Sequence, residues 1–292
     1  MKNINISRRN FLKAAGLTAI AASLPITLTA CGSKRAFKIA VPNDTTNEAR
    51  ALLLLQENGI ITLKEGVDIT ATKKDIAENP YNVEIVEVEA AQIPNVLKDV
   101  DFAVINSNYA IAAGIDPTTA ALVSEGAASK YVNLLCCKDG NQDSPKVKAL
   151  AAALSSKKVA DFINETYGGA VVATVENPLA DGLAADVDYA ALNGETISCA
   201  CSPAPHSEIL AVASEILADK GITLDIQEFD DYIIPNSVVE EGTLDTNYFQ
   251  HEPYLNDFNA QNNTHIVSVA GIHVEPMGIY GGKQGSLDAL EG

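Results

Sequence analysis

The chain has 292 residues, 47% apolar and 20% charged, with 20 basic against 38 acidic side chains and a net charge of −18. This composition excludes a disordered or collagen-like chain, and the length fits about two domains. Binding driven by phosphate contacts needs clustered Lys and Arg that are missing, so nucleic acid and bare anionic membrane surfaces are excluded as partners.

The first thirty residues hold four basic side chains (Lys2, Arg8, Arg9, Lys13) and no acid, so the chain beyond them carries −22. Residues 7–13 read SRRNFLK, a twin-arginine pair, and an uncharged apolar run follows from Ala14 to Ala30, interrupted by Pro25. That run is too short and too broken for a permanent span, which needs roughly 20 strongly apolar residues, and it fits the core of an export signal. Leu28-Thr29-Ala30-Cys31-Gly32 then resembles the lipobox of bacterial lipoproteins. The expectation is removal of residues 1–30 and acylation of Cys31 by diacylglycerol and fatty acids such as palmitate. Residues 31–36 form the tether, and the protein is exported and membrane-anchored, facing the periplasm or the cell exterior.

Past the leader, strands and helices alternate. Phe37–Val41 reads as a strand, and Thr45-x-x-Glu48 as a capping box ahead of the helix ARALLLLQEN, stopped by Gly59. Val83–Val88, Phe102–Ile105 and Tyr131–Cys137 are further strands, and Ser144-Pro145 opens one amphipathic helix running to about Tyr167 and Gly168-Gly169. Residues 173–195 are acidic, rich in Ala and weakly patterned, and read as a linker. Ile197–Cys201 is a strand, Ser207–Lys220 a helix, and Thr223–Phe229, His265–Ala270 and His273–Tyr280 complete the strands. The alternation predicts an α/β fold with mostly parallel sheets.

Cys136-Cys137 and Cys199-x-Cys201 are not zinc spacings; a disulfide is possible in an oxidising envelope, but four small buried hydrophobes is the favoured reading. The four histidines (206, 251, 265, 273) are scattered, and no metal or cofactor is expected. No glycine-rich phosphate loop, H-E-x-x-H or G-x-S-x-G is present, so nothing points to an enzyme.

The segments PNDTTNEARALLLLQ, AENPYNVEIVEVEAAQIP, FAVINSNYA and KYVNLL resemble the second half of the methionine-binding lipoproteins (NlpA-type), the substrate-binding components of methionine ABC importers. ISCACSPAPHSEIL, EFDDYIIPN, YFQHEPYL and HVEPMGIY resemble the first half. The resemblance implies a two-lobe periplasmic-binding-protein-like fold, with a ligand cleft between α/β lobes. It also implies three partners: methionine, an ABC permease and its ATPase. The order is circularly permuted. Joining Gly292 to Ala36 restores the family order, and the 173–195 linker of about 20 residues, long enough for roughly 25 Å as a coil, joins the family's own termini. The expected division is one lobe over 37–128, matching the family's second, and another over 129–292, matching its first, with residues 125–130 as the main covalent hinge and looser motion between lobes.

A zwitterionic amino acid needs a cation and donors for its carboxylate, acceptors for its ammonium and an apolar slot for its side chain. Arg50 offers a fork to a carboxylate. Asn106 and Asn133 offer amides that bind either terminus without a buried charge. Both match family ligand asparagines, and the resemblance gives Arg50 the carboxylate role. Tyr232, Phe249, His251 and Tyr254 supply faces for a thioether and, for His251, a donor. His206 is read as a helix-capping residue, and His273-Val274-Glu275 as strand structure. D-methionine, a methionine dipeptide or another apolar amino acid are the competing ligands, and a non-transport envelope lipoprotein is the competing role.

Overall fold

The computed structural model describes residues 35–126 and 131–291. The lipobox cysteine and the leader lie outside them, as does most of the expected 125–130 hinge.

The first part of the chain runs β1 (Phe37–Pro42), α1 (Thr45–Glu57), β2 (Thr62–Leu63), β3 (Ile76–Glu78), β4 (Val83–Val88), α2 (Ile93–Val96), β5 (Phe102–Ile105), α3 (Ser107–Ala112), α4 (Pro117–Ala120) and β6 (Ala121–Ser124). The second runs β7 (Val132–Lys138), α5 (Pro145–Leu154), α6 (Lys157–Tyr167), β8 (Val172–Ala173), β9 (Thr196–Cys201), α7 (Glu208–Ala218) and β10 (Thr223–Glu228). It continues through α8 (Ile234–Glu240), β11 (Thr246–His251), α9 (Glu252–Asn262) and β12 (Ile266–Val274) to β13 (Gly278–Gly281).

Two mixed sheets carry the fold, in the orders β4-β1-β5-β13-β6 and β10-β9-β11-β7-β12-β8. β1 lies parallel between β4 and β5, and Ile39, Ala40 and Val41 are wholly buried, as expected of a strand covered on both faces. β9, β10 and β11 are likewise parallel, β7 runs against β11, and β12 runs against β7 and so in the direction of β9–β11. Each sheet has its own apolar core. One gathers Leu52, Leu55, Phe102 and Ile279; the other gathers Leu135, Leu150, Ile197, Leu210 and Tyr248. No helix among the described residues is long and apolar enough to cross a membrane.

The sheet order moves the expected boundary. β13 pairs with β5 and β6, and Leu287 and Leu290 pack with Phe37 in the first core, so residues 278–291 belong with the first sheet. The chain therefore passes between sheets twice, at 125–131 and at 275–277, so the expected main hinge at 125–130 is joined by a second crossing. Gly282 fastens the returning segment: its N–H donates to Asp101 O at 3.0 Å, and a Cβ there would meet Leu97 O at 2.2 Å and Val100 O at 2.5 Å. Gly282→Ala is expected to destabilise the fold by about 1–3 kcal/mol, read as a lower urea midpoint with the slope unchanged.

Local differences have local causes. The expected helix over 144–167 is two, because Ser156 caps a new start by accepting from Val159 N at 3.2 Å. Leu179 holds the break open, donating to Ser155 O at 3.0 Å and accepting from Lys157 N at 2.8 Å. The 173–195 segment is thus fastened to the second core, which Leu192 also enters. At α1 the cap is Asp44, one residue before the expected Thr45: its carboxylate accepts from Asn47 N at 3.1 Å, and Glu48 instead accepts from Lys73 N at 2.9 Å. Residues 266–274 form one bulged strand rather than parts of two.

All four described cysteines are free and fully buried. Burial pushes the Cys137 and Cys199 thiols up, to about 11 and about 12, and raises Cys136 and Cys201 as well. In a soluble form beginning after Cys31, a thiol-specific reagent at pH 8 should leave the native protein untouched and label four thiols after unfolding.

Candidate functional site

In open α/β sheets, ligands bind beyond the carboxyl ends of parallel strands, where side chains of the following turns converge. Here β1 leads to Asn47 and Arg50, β5 to Asn106 and Asn108, and β11 ends at His251. β7 runs the other way, so its amino-terminal Asn133 stands in register with His251 on one side and His273 on the other. A pocket with about 360 Å³ of non-atom space, open solvent included, forms where these groups meet. All seven ligand-site residues expected from the sequence line it: Arg50, Asn106, Asn133, Tyr232, Phe249, His251 and Tyr254.

Six further lining residues escaped the sequence reading: Asn47, Ser107, Asn108, His206, Gln250 and Glu275. His206 does not act as a helix cap. It is buried, and its Nε2 lies 2.9 Å from Asn133 Oδ1 and 3.3 Å from Glu275 Oε1. Its place directly after β9 was the available signal. Glu275 sits on a crossing between sheets, which no local pattern marks.

Arg50 is already paired. Nε donates to Glu125 Oε1 at 2.8 Å, Nη2 to Glu125 Oε2 at 2.5 Å and to Glu275 O at 2.8 Å, and the guanidinium carbon stands 4.1 Å from the centre of the Tyr131 ring. Its fork is therefore turned on the protein's own carboxylate, and Nη1 is the arm with no bond among the described residues. Glu125 also accepts from Met277 N at 2.9 Å, which stitches the two crossings together.

Beyond Tyr131 lies His251, ring centres 5.0 Å apart. His251 Nδ1 accepts from Tyr254 N at 3.2 Å, so the ring proton sits on Nε2 as a donor. Burial, then the nearby Arg50 charge, lower its pKa to about 3, so the ring is neutral. Tyr232, Phe249 and Tyr254 pack 5.8–6.1 Å apart as an aromatic wall. The Tyr232 hydroxyl donates to Asn108 Oδ1 at 2.8 Å and that of Tyr254 to Tyr232 O at 2.9 Å, so the wall's hydroxyls are spent on the protein.

His206, His273 and Glu275 place three potential metal ligands within 4.8 Å of one another. Hydrogen bonds account for the cluster: His273 Nε2 is 2.8 Å from Glu275 Oε1, and the Tyr248 hydroxyl meets His273 Nδ1. Burial lowers both rings to about 3 and raises Glu275. Two buried polar atoms of lining residues have no hydrogen-bond partner among the described residues, Asn106 Oδ1 and His206 Nδ1.

The family model described as NlpA lipoprotein matches residues 33–175 and 197–292. The chain belongs to the NlpA lipoprotein family. The two matched stretches omit 176–196, close to the linker expected from the sequence. Residues 5–25 match the twin-arginine translocation signal sequence, so this NlpA-family member is an exported lipoprotein. The D-methionine-binding lipoprotein MetQ of Salmonella typhi is 43% identical over 137 residues, 46% of this chain and 51% of that protein. The membrane lipoprotein TpN32 of Treponema pallidum is 44% identical over 135 residues, 46% of this chain and 50% of that protein. The chain spans about half the length of the curated relatives it matches. Among solved structures, a nutrient-binding protein from Burkholderia cenocepacia bound to methionine is 44% identical, covering 46% of this chain and 57% of its own, with a TM-score of 0.41. A lipoprotein from Ruminococcus gnavus is 53% identical, covering 47% and 58%, with a TM-score of 0.46.

Proposed function

We propose that this NlpA-family lipoprotein captures methionine outside the membrane and delivers it to an ABC permease and its ATPase. One observation carries the reading: a single cavity combines hydrogen-bond donors, an unpartnered acceptor and an apolar aromatic wall. Arg50 Nη1 and His251 Nε2–H suit a carboxylate, Asn106 Oδ1 suits an ammonium, and the faces of Tyr232, Phe249 and Tyr254 suit a thioether, where sulfur–aromatic contacts add about 0.3–1.5 kcal/mol. The cavity serves binding, with no chemical step. The name of the D-methionine-binding relative favours methionine as the ligand and leaves its handedness to the test below.

Cys31 carries the lipid, palmitate included, and tethers the protein through residues 31–36 directly to β1. The chain is a circular permutant. The presence of Leu287, Leu290 and Phe37 in one apolar core supports this, because it brings residues 287–290 and β1, adjacent in the family order, to the same core.

Calorimetry on the soluble form, unfolded and refolded to strip carried ligand, tests the function. Binding of L-methionine well ahead of D-methionine, leucine, glutamine and glycyl-methionine is the expected result. Preference for another of these changes the ligand, and binding of none by a folded protein overturns the reading.

A further inference from the structure

We propose that two relays, each anchored on a carboxylate, set the amides of Asn106 and Asn133 facing the cavity with opposite polarity. Asn47 and His206 are the positioning residues. The inference rests on the amino-acid-binding reading above and deepens it, because it fixes which end of a zwitterion lies where.

An asparagine amide presents either its oxygen or its NH2, and its neighbours decide which. The first relay starts at Asp44. A carboxylate there can only accept, so it takes the Asn47 NH2, with Nδ2 to Oδ1 2.8 Å. Asn47 is thereby left with its oxygen toward Asn106, whose Nδ2 donates to it at 2.8 Å. Asn106 must then turn Oδ1 away from Asn47, and that atom is buried at the cavity without a partner among the described residues. A buried acceptor left without a donor is costly, and an ammonium supplies one.

The second relay starts at Glu275. Its Oε1 faces the Nε2 atoms of both His273 and His206, at 2.8 Å and 3.3 Å, and His273 turns its other nitrogen to the Tyr248 hydroxyl. Facing a carboxylate, His206 carries its proton on Nε2. That same N–H reaches Asn133 at 2.9 Å, where an NH2 would oppose it and only the oxygen can accept. Asn133 therefore offers its NH2, which donates to no described residue, beside the Nε2–H of its cross-strand neighbour His251. Donors gather at the Asn133–His251–Arg50 end and the acceptor stands at Asn106, so a zwitterion is held in one direction.

The test measures affinities for methionine, methioninamide (no carboxylate) and N-acetylmethionine (no ammonium) in the wild type, His206→Ala and Asn47→Ala. Freed from His206, Asn133 can turn its oxygen to an amide, so His206→Ala should shrink the preference for methionine over methioninamide about tenfold and leave the preference over N-acetylmethionine in place. Asn47→Ala should do the reverse, and His206→Gln, which keeps an N–H donor, should restore much of the first preference. Equal loss for all three ligands in either variant would mean a merely structural role and overturn the proposal. Nitrogen-15 spectra of the ligand-free wild type decide it independently of any variant or ligand: a neutral His206 protonated on Nε2 is expected, and protonation on Nδ1 instead would overturn it. A wild type that binds none of the three ligands yet shows the Nε2–H ring would remove the methionine reading and keep the relay.

Discussion

Arg50→Ala should lose methionine binding and cost about 3 kcal/mol of stability, two effects with separable origins. The stability term comes from Glu125. Its side chain is only 14% exposed and is oriented by the guanidinium, so removing the cation strands a largely desolvated carboxylate. The binding term comes from the lost Nη1 donor and from the Tyr131 ring, which Arg50 holds against His251. Adding Glu125→Gln should return most of the stability, because a neutral amide no longer needs the cation, while methionine binding stays absent. Urea unfolding and calorimetry on the same three proteins check both halves. Wild-type affinity in Arg50→Ala would reduce the arginine to a structural strut.

Acid should unfold the ligand-free protein well before most carboxylates titrate. His206, His251 and His273 are buried, and their pKa values fall from an ordinary 6.5 to about 3. Between those values the unfolded chain takes up three protons that the folded chain refuses. The stability held by the neutral rings is therefore full above pH 6.5 and is lost as pH falls toward 3. Each ring contributes about 1.4 kcal/mol per pH unit in that window. Burial raises Asp44 and Glu275, which are carboxylates at neutral pH but take up protons earlier on acidification than in the unfolded chain and offset part of the loss. From pH 7 to pH 5 the three rings alone account for a drop of about 6 kcal/mol, less the carboxylates' offset, measurable as a fall in the urea midpoint. His206→Gln should flatten the slope by about one proton in three. Unchanged stability from pH 7 to pH 5 would mean that the folded protein admits these protons.

Much of the site was legible because it lies where chemistry meets punctuation. Arg50 follows a strand and a helix start, Asn106 ends a strand, and an amide at Asn133 between Val132 and Leu134 has no reason to be apolar core. The aromatics at 249–254 read as core as readily as wall, and the family resemblance was what placed them in the site. His206, Glu275 and Glu125 did not read this way. Each faces a partner at least 69 positions away, and even for Glu275, which also meets His273 two residues before it, nothing nearby in the chain says that His206 will stand opposite. The break at Ser155–Ser156 was hidden for the same reason, since Leu179 secures it from another segment.

The sequence by itself determined most of the strands, the first helix, the α/β class, the export leader and the family, because strand runs, caps and signal segments are encoded by neighbours within a few residues. Tertiary structure alone decided that β13 returns to the first sheet, that two crossings join the halves, and that Arg50 is already held by Glu125. It also decided the polarity of Asn106 and Asn133. An amide has no preferred face of its own; a carboxylate that can only accept imposes one, and folding alone brings that carboxylate's relay to the amide.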